Sequence, residues 1–127
     1  MDSLYTEIIL DLYKHPLNKK PLADFNLSHQ ENNPVCGDQV ELFFKFDDSG
    51  KLIDVGWQGA GCAISQVGAS LLTDYIKDKT KTELKNLTTD EIKKLLDIEL
   101  NATRLRCYLL GLMALQKALT KVSSRAE

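Results

Sequence analysis

Residues 39–58 read QVELFFKFDDSGKLIDVGWQ and carry the most regular pattern in this chain of 127 residues. Apolar side chains alternate with polar ones on both sides of a polar turn at residues 47–50. This alternation predicts a β-hairpin with strands over residues 39–46 and 51–58. One face of the hairpin is predicted to carry Val40, Leu42, Phe44, Phe46, Ile53, Val55 and Trp57.

The segment before the first strand, residues 32–38, reads NNPVCGD and places a thiol and a carboxylate two positions apart. Pro34 fixes its own φ and disfavours helix at the residue before it. Gly37 permits a tight turn between Cys36 and Asp38. A thiolate and a carboxylate that meet in such a loop can bind one cation.

The second strand ends at a glycine-rich turn, residues 59–65, which reads GAGCAIS. Apolar spacing beyond the turn predicts a helix to about Lys77, with Cys62 at its N-terminus. The helix dipole and unpaired N–H groups there stabilise a thiolate. Because an antiparallel hairpin returns the chain to its starting point, Cys36 and Asp38 should lie near Cys62. Small residues on this helix, including Gly68, would let another backbone pack closely.

The third cysteine, Cys107, precedes an apolar stripe that predicts a last, longer helix, capped by Asn101 or Thr103. The prediction places Cys107 in the first turn of that helix. Arg104 and Arg106 flank it and would favour a thiolate.

Two interpretations of the three cysteines are open. They can be small buried hydrophobic residues, as cysteines outside disulfides often are. Alternatively, three thiolates and a carboxylate match the ligand set of a four-coordinate Zn²⁺ site, and thiolates are the usual ligands of iron–sulfur clusters. The settings of the cysteines, one in a Pro/Gly loop and two at predicted helix starts, favour a metal site.

The other elements follow from shorter patterns. Residues 3–14 have helical spacing that ends before Pro16. Residues 22–28 are predicted as a short strand and residues 78–87 as a polar linker with a short turn. Thr88 forms a capping box with the acidic residue three positions later. The length predicts a single domain over residues 1–127.

Composition excludes several classes of function. A net charge of −2 offers no basic field for nucleic acid. Acidic residues in the first twelve positions argue against a signal peptide. No apolar run approaches the roughly 20 residues that span a membrane. Three cysteines, an odd number, argue against a disulfide framework. The sequence therefore predicts a cytoplasmic location.

Four motifs, in this order, resemble those of the IscU/SufU family of iron–sulfur cluster assembly proteins. The resemblance implies an α+β fold in which a small antiparallel sheet of about three strands has helices on one face. It implies that Cys36, Asp38, Cys62 and Cys107 are the metal or cluster ligands. It also implies a cysteine desulfurase partner of the SufS or IscS kind. The motifs are Tyr13-Lys14-His15-Pro16, Asn33-Pro34-Val35-Cys36-Gly37-Asp38, Gly59-Ala60-Gly61-Cys62-Ala63-Ile64-Ser65 and Arg104-Leu105-Arg106-Cys107.

The chain departs from the IscU pattern at two places. Arg106 stands where IscU-type members have a histidine, so a histidine ligand is excluded there. Residues 99–103 read ELNAT in place of the Leu-Pro-Pro-Val-Lys chaperone segment, which makes docking of the specialised Hsp70 doubtful. The residues of the motifs resemble those of SufU proteins. SufU proteins carry an insertion between the second and third cysteines, and the spacing from Cys62 to Cys107 leaves little room for it.

Two functional hypotheses follow from the resemblance. In the first, the chain is a scaffold on which Cys36, Cys62 and Cys107 hold a nascent [2Fe–2S] cluster for recipient apoproteins or carriers, with Asp38 as a weaker ligand. In the second, it is a zinc-dependent sulfurtransferase with Zn²⁺ in the same site. Cys36 is then the expected persulfide acceptor and Cys107 the alternative. A structural zinc domain used only for docking is a third interpretation.

Overall fold

The structure is a computed structural model that describes residues 3–34 and 37–125. In this part of the chain, one antiparallel sheet with the order β1-β2-β3 packs against helices, which confirms the predicted α+β class. The elements are α1 (Ser3–Lys14), β1 (Leu27–Asn33), β2 (Asp38–Phe46), β3 (Leu52–Ala60), α2 (Ala63–Tyr75), α3 (Lys81–Lys85), α4 (Thr89–Lys93), α5 (Ala102–Tyr108) and α6 (Leu110–Arg125).

The predicted hairpin is present as β2 and β3, but the prediction for Ile53 is wrong. Ile53 is 54% exposed, whereas Leu52 is only 1% exposed. The register pairs Lys45 with Asp54 and Phe46 with Leu52, which leaves Ile53 as an extra residue. Such a bulge reverses the alternation of faces beyond it. The core face of the hairpin is therefore lined by Val40, Leu42, Phe44, Phe46, Leu52, Val55 and Trp57.

The strand predicted over residues 22–28 is wrong in its position, because β1 runs over Leu27–Asn33. Apolar alternation could not reveal β1, since polar side chains occupy both of its faces. On the helix side, His29 and Glu31 are partly buried, and Lys117 of α6 donates to Glu31. The open face carries Ser28, Gln30 and Asn32.

The loop after α1, residues 17–20, covers the outer edge of β3. The Trp57 indole N–H donates to the Leu17 carbonyl at 2.7 Å, and the Trp57 backbone N–H donates to the Asn18 carbonyl at 3.0 Å. The Asn18 amide reaches across to α2, where Thr73 Oγ1 accepts its hydrogen bond at 3.1 Å. The loop thus joins the sheet edge to α2.

Residues 78–87, predicted as a linker, contain the short helix α3. Thr80 caps α3, and Thr88 caps α4 with the predicted capping box. Each threonine side chain accepts the N–H of a glutamate three residues later, and that glutamate's side chain accepts the threonine N–H. Among the described helices, none has both the length and the apolar character needed to cross a membrane.

The small-residue face of α2 receives another backbone, as predicted. A Cβ atom at Gly68 would lie 2.2 Å from the carbonyl oxygen of Tyr108, the last residue of α5. No real Cβ tolerates that distance, so only glycine permits this approach. The contact brings the C-terminal end of α5, including Cys107, against α2.

We expect Gly68→Ala to lower the free energy of unfolding, measured by urea denaturation, by about 1–3 kcal/mol. The added methyl group must push α5 away from α2. Gly111→Ala is the matched control, because a Cβ there meets the end of the Leu72 side chain at 3.1 Å and no backbone atom closer than 3.6 Å. If both variants unfold at the same urea concentration, the close approach at Gly68 is not a stability determinant.

Candidate metal centre

The turn between β3 and α2 places Cys62 beside Asp38. Asp38 begins β2, and its neighbour Gln39 pairs with Ala60 at the end of β3. The chain then needs only Gly61 to reach Cys62. The proximity expected from the hairpin alone is therefore confirmed for Asp38.

Asp38 is held against this turn by two hydrogen bonds. The Cys62 backbone N–H donates to Asp38 Oδ1 at 3.1 Å, and the Cys62 thiol lies 3.4 Å from Oδ2. The carboxylate is buried, with 2% of the residue exposed. A buried carboxylate without such partners would be strongly unfavourable.

Gly61 makes this arrangement possible. Its φ of +139° is a conformation that side chains rarely permit. A Cβ at this position would lie 2.3 Å from Asp38 Oδ1, well inside van der Waals contact. The glycine is therefore required both for the backbone angle and for the space that Asp38 occupies.

Cys62 is the N-cap residue of α2, as the sequence predicts. Its side chain makes no capping hydrogen bond, and the thiol is half-buried. The Ser65 hydroxyl donates to the Cys62 carbonyl at 2.9 Å. The thiol is thus directed to Asp38 and remains available as a ligand.

The prediction that Cys107 lies in the first turn of a helix is wrong. Asn101 caps α5 by accepting the Arg104 N–H at 2.9 Å, so the helix begins five residues before Cys107. The predicted single helix is interrupted at Leu109, between α5 and α6. Cys107 is therefore near the C-terminal end of α5, where it is buried and where helix-start N–H groups cannot stabilise a thiolate.

Tyr108 fixes the position of the neighbouring cysteine. Its hydroxyl donates to the Ile92 carbonyl at 2.7 Å. Burial raises the pKa of Tyr108 to about 12, so the phenol stays protonated and keeps this bond. Together with the contact at Gly68, the bond anchors the end of α5 between α2 and α4.

Asp38, Cys62 and Cys107 converge although they come from three different elements. One ligand atom of each lies within 4.8 Å of the others. In a tetrahedral zinc site with Zn–S bonds near 2.3 Å, two sulfur atoms are about 3.8 Å apart. A small closure would therefore let these donors share one ion, and two thiols with a carboxylate suit zinc or iron. The fourth predicted ligand, Cys36, lies outside the described residues.

A contact to this site that the sequence pattern does not reveal comes from Gln66. Gln66 is 7% exposed, and its side-chain amide donates to the Gly61 carbonyl at 3.2 Å. The only sequence signal was a long polar residue among apolar and small residues, four positions after Cys62. That spacing returns a helical side chain to the turn that contains Cys62.

Comparison with known proteins gives the same family as the motifs. The NifU-like N terminal domain matches residues 4–127. The chain is 32% identical to the zinc-dependent sulfurtransferase SufU of Bacillus subtilis, over 95% of this chain and 92% of the relative. It is 28% identical to the iron–sulfur cluster assembly scaffold protein IscU of Escherichia coli, over 97% of each.

Solved structures support the fold. A crystal structure described as an iron–sulfur cluster assembly scaffold protein for the SUF system, from Fervidobacterium islandicum, superposes with a TM-score of 0.74. It is 29% identical and covers 89% of this chain and 94% of its own. The N-terminal part of a NifU-like protein from Brucella abortus has a TM-score of 0.77 at 18% identity, with 95% of each chain covered, which supports the fold alone. With its motifs, fold and matching domain in agreement, this chain belongs to the IscU/SufU family of NifU-like N-terminal domains.

Proposed function

We propose that this chain is an iron–sulfur cluster assembly protein that receives sulfur from a cysteine desulfurase. It serves as the scaffold for a nascent [2Fe–2S] cluster held by Cys36, Asp38, Cys62 and Cys107. The observation that carries the proposal is the convergence of Asp38, Cys62 and Cys107 within 4.8 Å. The family match over residues 4–127 supports a single IscU/SufU-like domain over residues 1–127.

The ligand set suits a cluster that is handed on. Thiolates bind iron–sulfur iron firmly, whereas a carboxylate is a harder and weaker ligand. Asp38 is also a hydrogen-bond acceptor for Cys62, so the two residues have a stable arrangement with each other once the cluster leaves. A scaffold needs such a cluster-free state, because its cargo goes to recipient apoproteins or carriers.

A second candidate is a zinc-dependent sulfurtransferase that uses the same residues. The mutual proximity of the three described donors suits one tetrahedral ion, and the Bacillus subtilis relative carries this name. Zinc, when bound, would keep the cysteines as thiolates at neutral pH. A released thiolate attacks the outer sulfur of the desulfurase persulfide. A new S–S bond forms, and the desulfurase cysteine leaves as a thiolate.

The burial of Cys107 disfavours it as the persulfide acceptor, so Cys36 remains the expected acceptor. Cys107 is 4% exposed, so a partner's persulfide would need α5 to move before reaching it. In the sequence, Cys36 lies between Pro34 and Gly37, two positions before Asp38. The cytoplasm suits either role, since thiols stay reduced there. The absence of the chaperone segment at residues 99–103 makes an Hsp70 partner doubtful.

The test is metal and sulfide analysis of protein purified anaerobically, combined with desulfurase turnover. Iron and sulfide that accumulate with the desulfurase, cysteine and ferrous iron support the scaffold. One tightly bound zinc with faster sulfur release supports the transferase. We expect Cys36→Ala to lose most of the stimulation. Full stimulation by Cys36→Ala would contradict that assignment, and binding of neither zinc nor a cluster would contradict both functions.

A further inference from the structure

A chain of polar contacts joins the loop after α1 to the turn that carries Cys62. Lys19 Nζ donates to Gln66 Oε1 at 2.8 Å, and Gln66 Nε2 donates to the Gly61 carbonyl at 3.2 Å. Lys19 also lies over the ring of Trp57, with Nζ 5.2 Å from the ring centroid. These contacts reach the peptide group that connects Gly61 to Cys62.

The Cys62 N–H of that peptide group donates to Asp38 Oδ1, and its carbonyl oxygen accepts from Gln66. The N-cap side chain of α2, Cys62, makes no capping hydrogen bond. The first helical bond, from the Gln66 N–H to the Cys62 carbonyl, is long at 3.4 Å. Gly61 at positive φ is also the most permissive residue in the turn. A side chain that holds the Gly61 carbonyl therefore restricts the rotation that would carry Cys62 away from Asp38.

Lys19 and Gln66 are well placed to provide this restriction. Gln66 is 7% exposed on a regular helix, so few side-chain conformations are open to it. Its oxygen accepts a charged donor, which orients the amide so that the NH₂ group points to Gly61. The Lys19 ammonium group lies over the ring of Trp57, which is fully buried and bonded to Leu17. The cation thus acts on the site through the glutamine.

We propose that Lys19 and Gln66 are positioning residues that hold the Gly61–Cys62 peptide and so set the geometry of the Cys62 thiol against Asp38. The proposal rests on the proposed function only where it concerns a bound metal. The restriction itself is a property of the metal-free chain. It can therefore be tested without a desulfurase, a cluster or zinc.

The test is the rate at which iodoacetamide alkylates Cys62 in chelator-treated full-length protein, resolved by peptide mass spectrometry. Gln66→Met keeps the side-chain length but removes both hydrogen bonds. We expect it to raise the alkylation rate of Cys62 about fivefold. That factor is the effect of losing the one neutral hydrogen bond that reaches the Gly61 carbonyl. Lys19→Met should raise it less, because Gln66 keeps its bond to Gly61. The double variant should match Gln66→Met alone, since Lys19 acts through Gln66.

Thr73→Val is the matched control. It removes the bond between Asn18 and Thr73, which joins the same loop to α2 but does not touch Gly61. We expect Thr73→Val to lower thermal stability and to leave Cys62 alkylation unchanged. Equal acceleration by Thr73→Val and Gln66→Met would make Gln66 merely structural. A double variant faster than Gln66→Met by the full Lys19→Met factor would show that Lys19 acts independently.

Cobalt binding gives a second measurement of the role of Gln66. We expect Gln66→Met to weaken Co²⁺ affinity by roughly tenfold and to alter the thiolate-to-cobalt absorption band, as loss of a ligand's supporting contact does. An unchanged affinity and band would contradict the positioning role in the metal-bound state. Failure of the wild-type protein to bind Co²⁺ would count against the proposed metal site, while the alkylation rates would still decide the role of Lys19 and Gln66.

Discussion

Asp38→Ala is expected to lengthen the lifetime of a [2Fe–2S] cluster on this chain by about tenfold. Asp38 accepts the Cys62 N–H at 3.1 Å and lies 3.4 Å from the Cys62 thiol. Both contacts stabilise the state in which the Cys62 thiol no longer binds iron. Alanine removes that stabilisation and slows release, because a hydrogen bond to a charged carboxylate contributes about 1.5 kcal/mol, which corresponds to roughly tenfold. The decay of cluster absorbance under anaerobic conditions, with a chelator present, measures it.

The same substitution should weaken zinc binding. Zinc loses one of its ligands, so we expect an affinity loss beyond the roughly 10–100-fold that follows removal of a ligand's supporting contact. Competition with a chromogenic chelator measures it. Because cluster lifetime and zinc affinity move in opposite directions, misfolding cannot imitate the result.

Asp38→Asn separates the two roles of Asp38. Asparagine keeps an oxygen that can accept the Cys62 N–H, but it brings no negative charge to the metal. We expect its effect on zinc to resemble that of alanine and its effect on cluster lifetime to be smaller. If Asp38→Ala releases the cluster faster than the wild type does, Asp38 is not the point at which the ligands exchange.

The hairpin and the approach of Asp38 to Cys62 could be predicted because both depend on short-range geometry. Alternation specifies the two strands, and an antiparallel pair must bring its ends together. The bulge at Ile53 could not be predicted, since it depends on which residue β2 pairs with rather than on the pattern of β3. Strand β1 was misplaced because its partly buried His29 and Glu31 are polar.

Cys107 shows a different limit of sequence reasoning. Its membership of the site came from the family resemblance, and its predicted place at a helix start was wrong. Two equally plausible caps, Asn101 and Thr103, precede it, and an apolar stripe does not mark the interruption at Leu109. The packing of Tyr108 against Gly68 places the cysteine, and a contact across 40 positions of sequence leaves no local pattern.

Gly61→Ala is expected to disrupt the candidate metal centre more than any other substitution that adds a single methyl group. The new Cβ would lie 2.3 Å from Asp38 Oδ1 and 2.6 Å from its Cγ, so either the carboxylate or the turn must move. Alanine is also strained at a φ of +139°. We expect the affinity for Co²⁺ to fall by at least about a hundredfold, beyond the loss from a single supporting contact. Unfolding free energy should fall by about 2–4 kcal/mol, the sum of a backbone strain and an overpacking cost.

Gly50→Ala separates backbone strain from the collision with Asp38. Gly50 also has a positive φ, +89°, but a Cβ there meets nothing within 4 Å, and the residue lies in the hairpin turn at the other end of β3. Its alanine variant should lose stability and keep wild-type Co²⁺ affinity. Combining Gly61→Ala with Asp38→Ala should cost less stability than the two changes separately, because the carboxylate that the methyl group strikes is gone. Additive losses in that double variant would mean that the carboxylate is not the part of Asp38 that requires glycine at position 61, since alanine keeps the Cβ atom that would lie 2.8 Å from the new methyl group.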